Sequence, residues 1–166
     1  MIGVYSLQSE NYALSNSCGN YTLTNEANRN TVTDVTNLSV SLKVSGNAYV
    51  WVGLVPLYNS NGAGDGTVNT TANNNDPDCQ HNMYFKRDST MIAHFNLRGR
   101  CGLGGSLTFV RRVSASGGVF FTLDRPAAGT YTYKVQVYYN RSIGTTSVAF
   151  GWGITYCKLL AKELNF

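Results

Sequence analysis

The chain has 166 residues, is 43% apolar and carries only 13% charged residues, about half the usual share. Its formal net charge of +4 comes from scattered basic residues, with only Lys86-Arg87, Arg98/Arg100 and Arg111-Arg112 close together. That pattern excludes the dense basic stripe of a nucleic-acid binder, and the lack of an apolar run approaching ~20 residues excludes a membrane-inserting helix. The leading residues MIGVYSLQSE have neither the basic nor the long apolar region of a secretory leader, so synthesis in a cytoplasm is expected. The apolar residues are mainly Val, Leu, Tyr and Phe, set among Asn, Thr, Ser and Gly. That mixture suits strands, hairpins and exposed sheet faces.

Taken in chain order, residues 1–24 hold strand-like runs at Val4-Tyr5 and at Tyr21, Thr22 and Leu23, and residues 25–35 form a polar loop or ribbon. Together, 1–35 are expected to act as an N-terminal arm. Leu38, Val40, Leu42 and Val44 then alternate with Ser39, Ser41 and Lys43, the period of a half-buried strand. A Ser45-Gly46-Asn47 turn leads into 48–57, which is apolar on both faces and ends at Pro56. Such a strand is central, or faces both a core and a neighbouring subunit. Residues 58–81 are Gly, Asn, Asp and Thr with hardly an apolar anchor, and read as one long surface loop. Asn61, Asp65, Asn73, Asn75 and Asp76 are its candidate recognition residues.

Strands are expected around Met83 to Phe85, over 90–97, 106–113 and 119–123, separated by a turn at 86–89, a Gly-rich connection at 98–106 and a turn at 114–118. The clearest strand follows the turn that begins at Asp124, Pro126 and Gly129. Tyr131, Tyr133, Val135 and Val137 fall on one face, and Thr132, Lys134, Gln136 and Tyr138 on the other. One wettable face implies an antiparallel sheet packed on a core. In the last run, 146–164, Phe150, Trp152, Ile154 and Tyr156 alternate with Gly151, Gly153, Thr155 and Cys157, and the period favours strand continuing through KLLAKEL. Eight to ten strands and no helix make an all-β, two-sheet antiparallel jelly-roll sandwich, one domain over 1–166.

Chemistry is thinly represented. His81 and His94 are the only imidazoles, and His94 lies inside a strand, where a structural role outweighs catalysis. DPDCQH places His81 near Asp76, Asp78 and Cys79, but zinc needs a second ligand pair that is absent. Calcium through Asp65, Asp76 and Asp78 would need six to eight oxygens, and a solvated acidic turn is the simpler reading. Gly102-Leu103-Gly104-Gly105 lacks the Lys-Ser/Thr and helix of a phosphate loop. Glu occurs only at 10, 26 and 163, which gives no carboxylate pair for glycosidase work. No enzyme activity, cofactor or metal is expected. The four cysteines have no close spacing and read as buried thiols, with Cys79–Cys101 the pair most open to bridging.

Three stretches together carry a resemblance. KRDST, DRPAAGTYTYKVQV and GITYCKLLAKEL resemble the tumour-necrosis-factor-like jelly roll of tailed-bacteriophage and related virion proteins, over about 40–164. Ser89 stands where the related turn usually has Gly. The resemblance implies a homotrimer, for which Tyr49, Trp51, Tyr138, Trp152 and Tyr156 are the candidate interface residues. It also implies a virion structural role at the virion surface, as a capsid decoration (cement) or head-fibre protein touching the major capsid protein or other virion proteins. The alternative is a receptor-binding fibre knob that recognises a host-surface saccharide or protein.

Overall fold

The computed structural model describes residues 10–23, 31–46, 48–56, 67–73, 80–96, 108–114, 120–140 and 151–164. Twelve strands run through them: β1 (Tyr12–Leu14), β2 (Asn20–Leu23), β3 (Thr33–Val44), β4 (Tyr49–Pro56), β5 (Thr67–Asn73), β6 (Gln80–Arg87), β7 (Thr90–Asn96), β8 (Thr108–Ser114), β9 (Phe121–Asp124), β10 (Gly129–Asn140), β11 (Gly151–Thr155) and β12 (Cys157–Leu164). All their pairings are antiparallel. Among the described residues no helix is long and apolar enough to cross a membrane.

Two four-stranded sheets, in the orders β1-β12-β4-β9 and β3-β10-β6-β7, face each other. In chain order the strands of these two sheets alternate between them except at the β6–β7 hairpin, which is jelly-roll connectivity. Val50, Val52, Leu54, Leu159 and Ala161 from one sheet meet Val40, Leu42, Val44, Tyr133, Val135 and Val137 from the other, all buried. The expected alternation in β10 is therefore real: its Tyr133/Val135/Val137 face is the core. Phe85, Phe95 and Phe120 close one side of the core through edge-to-face contacts at 5.1 and 5.4 Å.

A third sheet, β2-β11-β5-β8, was not foreseen. It continues from the first sheet because the last run breaks at Tyr156, whose φ of 48° turns β11 away from β12. The 58–81 stretch is consequently not one loop. Its Thr-rich centre forms β5, which pairs with β11 on one side and β8 on the other, and β6 already begins at Gln80. Thr has high strand propensity, but without apolar partners the segment carries no periodic signal. Likewise part of the expected N-terminal arm lies inside the sheets. β1 pairs with β12, β2 with β11, and β3 starts at Thr33 rather than after 35.

Candidate functional site

The outer face of the β1-β12-β4-β9 sheet is unusually apolar. Residues opposite one another across strands share a face, and here Tyr12, Lys162, Trp51 and Leu123 form one cross-sheet row. Leu14, Leu160, Gly53 and Phe121 form the next. Tyr12 is 56% exposed, Leu14 45%, Phe121 47% and Leu123 51%. Trp51 lies flat against this surface, stacked on Phe121 with centroids 6.1 Å apart and planes 12° apart. Its indole passes over Gly53, where a Cβ would come within 2.4 Å of the ring. Gly53 is thus the residue that lets the ring lie down. Arg125 covers the Tyr49 ring at 5.4 Å, and Lys162, within the first row between Tyr12 and Trp51, pairs with Glu10 at 2.7 Å. Aromatic and aliphatic side chains thus dominate this face, with the Lys162–Glu10 pair crossing it.

Beneath this face a polar cluster anchors β9. Arg87 donates to both carboxylate oxygens of Asp124, at 2.7 and 2.9 Å, and the buried Tyr133 hydroxyl donates to the same carboxylate at 3.0 Å. Burial, with the Asp124 charge beside it, holds the Tyr133 hydroxyl protonated well above the ordinary range. Arg87 also lies over the Tyr131 ring at 5.2 Å, and Asp88, in the left-handed region at φ 50°, accepts from Thr132 N–H at 2.9 Å. The turn of KRDST and the strand of AGTYTY are therefore one interlocked unit. With Asp124 drawn inward, Phe121 and Leu123 of the same strand must point outward.

The structure distributes the expected interface residues rather than gathering them. Tyr49 and Trp51 belong to the apolar face. Tyr138 lies in the β3-β10-β6-β7 sheet, on β10 opposite Asn82 of β6, Tyr156 at the junction of β11 and β12, and Trp152 in β11 between Leu23 and Thr70. Of the recognition residues, Asn73 ends β5; Asn61, Asp65, Asn75 and Asp76 lie outside the described residues, as do Cys79, Cys101 and 102–105. The side chain of His81 is also outside them. His94 faces Tyr84 and bonds Asn82 at 2.9 Å through Nε2. Cys18 and Cys157 are buried and joined by a 3.0 Å backbone hydrogen bond. Burial pushes the Cys157 thiol up to about 12 and also raises Cys18, which removes thiolate reactivity. Among the described residues no three His, Cys, Asp or Glu side chains converge as a metal site. Tyr12, Leu14, Phe121 and Leu123 were not identifiable as face residues before β1 was paired and β9 was turned by Asp124.

No protein-family model matches the chain, and no curated protein matches it. Solved structures do. The chain is similar to the structure of infectious bursal disease virus Gt strain, with TM-score 0.49 and 9% identity over 98% of this chain and 37% of that one. It is similar as well to the VP2 subviral particle of that virus, with TM-score 0.45 and 7% identity over 98% of this chain and 37% of that one. The Gx strain structure matches with TM-score 0.45 and 10% identity, over 99% of this chain and 36% of that one. The chain thus spans little more than a third of the length of these proteins.

Proposed function

We propose that the chain is a virion structural protein: a homotrimeric capsid decoration or head-fibre protein of a bacteriophage, seated at the virion surface on the major capsid protein. The observation that carries this reading is the apolar face around Trp51, Phe121, Leu123, Tyr12 and Leu14. A contiguous exposed apolar patch of this kind marks a surface that a partner covers. Three copies closing into a ring would cover it on every copy and leave no such face open. The jelly-roll connectivity supports the tumour-necrosis-factor-like assignment, as does the meeting of KRDST with AGTYTY at Asp124 and Thr132. The reading assigns the chain no reaction.

Light scattering at micromolar concentration should return the mass of three chains, and purified protein should bind capsids that lack it. A single-chain mass would overturn the trimer. Binding to host cells with none to capsids would replace the decoration role by that of a receptor-binding knob.

A further inference from the structure

The solvent face of the other sheet carries a groove of about 450 Å³ lined by Val32, Tyr84, Lys86, Met91, His94 and Gln136. That volume lies in the range of small-ligand sites, ~300–1,000 Å³. Strand register assembles it: Tyr84 sits opposite His94 on one side and Gln136 on the other, and Lys86 opposite Met91. Neither the core nor the apolar face uses these side chains.

Each wall has defined chemistry. Tyr84 and His94 form a ring pair with centroids 5.1 Å apart. His94 is fixed by Asn82, whose Oδ1 lies 2.9 Å from Nε2; an amide oxygen only accepts, so Nε2 carries the proton. Gln136 is fixed by Asp34: a carboxylate accepts only, so the group 2.5 Å from Asp34 Oδ1 is the amide NH2. That leaves Gln136 Oε1 buried with no donor among the described residues. Asp34 also takes Lys134 Nζ at 3.0 Å, so its charge is matched. Against the upward push of burial, the Gln136 and Lys134 hydrogen bonds hold the Asp34 carboxyl low, and Lys86 adds only a smaller attraction, so two lysines share one carboxylate and Lys86 is the surplus cation. The groove therefore offers an aromatic platform, one unmatched positive charge and one acceptor in want of a donor.

A pyranose that bears a carboxylate answers all three. Its C–H face packs on a tyrosine ring, its carboxylate meets the lysine, and a ring hydroxyl supplies the missing donor. We propose that this groove binds a carboxylated sugar, either a uronic acid or a sialic acid residue of a surface glycan. The site does not depend on the assembly reading, because it lies on the opposite sheet from the apolar face and is complete within one chain.

The test is titration of the full-length protein with methyl glucuronide, the methyl glycoside of N-acetylneuraminic acid, and neutral methyl glucoside, followed by protein-observed NMR. Saturable shifts at Tyr84 and Gln136 are expected with at least one acid sugar, at an affinity about tenfold or more above the neutral one. Which acid binds identifies the glycan source. Lys86→Met should erase the preference for the acid, and Lys86→Gln repeats the test should the first variant fold poorly. Gln136→Leu should weaken acid and neutral sugars alike while keeping the preference. No saturation at tens of millimolar would overturn the proposal, as would acid and neutral sugars binding equally, or a preference surviving both Lys86 variants. Inorganic phosphate displacing the sugar at equal concentration would overturn it too, by reducing the groove to a plain anion site.

Discussion

Asp124 is the residue at which the two most recognisable phrases of the sequence meet. It holds Arg87 from one and Tyr133 from the other, and its carboxylate is 9% exposed. Removing it strands a guanidinium and a buried hydroxyl together, so Asp124→Ala should cost about 3 kcal/mol or more. Tyr133→Phe, which deletes one hydrogen bond and keeps the packing, should cost about 1 kcal/mol. Urea midpoints at pH 7 measure both, and equal losses for the two variants would show that Arg87 does not depend on Asp124. Glu163 makes a second weld in the same cross-strand row of the first sheet, on the other side of Val50. It accepts from Ser45 N–H at 2.9 Å, from the Ser45 hydroxyl and from Asn11 Nδ2 at 2.6 Å. The Ser45 hydroxyl first, with the Asn11 amide and Ser45 N–H outweighing burial, holds its carboxyl below the ordinary carboxylate range. A depressed folded pKa adds stability that is present above the unfolded value of ~4.3 and is lost as pH falls through the folded one. Glu163→Gln should therefore be less stable than the parent by about 1–2 kcal/mol at pH 7, with the gap closing below pH ~4. A gap independent of pH would assign Glu163 a packing role alone.

At the scale of elements, what the sequence disclosed depended on whether an apolar period ran unbroken. β10 and β12 could be read directly, because their buried residues recur every second position. The legible period of β3 begins only at Leu38, because it slips before that point: Val35 and Leu38 are both buried, three residues apart. The slip is a bulge, seen as a register shift opposite Lys134 and Gln136 and centred on Asn37 at φ 66°. Asparagine tolerates that conformation, and here its amide also donates to Ser17 O at 3.3 Å. Asn37→Val should cost about 1–2 kcal/mol and Asn37→Gly far less, a contrast that thermal melts of the two variants would expose. The facing of β9 is hidden for another reason. In Phe121-Thr122-Leu123-Asp124 the hydrophobic residues face out and the acid faces in, since the Arg87 partner on β6 outweighs the ordinary polarity of a strand. β5 offered no period at all, so only its pairing reveals it. The candidate face was half legible: Tyr49 and Trp51 followed from a strand apolar on both sides, whereas Tyr12, Leu14, Phe121 and Leu123 join it through cross-strand register.

For the whole molecule, the consequence is a division between two outer faces. One sheet presents Trp51, Phe121 and Leu123, and the other presents the Tyr84 groove. If the first is buried between copies, a charge placed there must be desolvated on assembly but stays in water in a lone chain. Leu123→Lys changes a side chain that is 51% exposed, so its effect on folding of the isolated chain should stay within about 0.5 kcal/mol. In the assembly the same lysine would sit unpaired within an apolar interface, at a cost of several kcal/mol per subunit. Light scattering should therefore report three chains for the parent and one for Leu123→Lys, with the strand signature in circular dichroism unchanged. Because the groove is complete within one chain, the monomeric variant should bind a carboxylated sugar as the parent does. A variant that keeps the trimer mass would remove this face from the interface. A monomer that loses the sugar would instead couple the two sheets through the core they share.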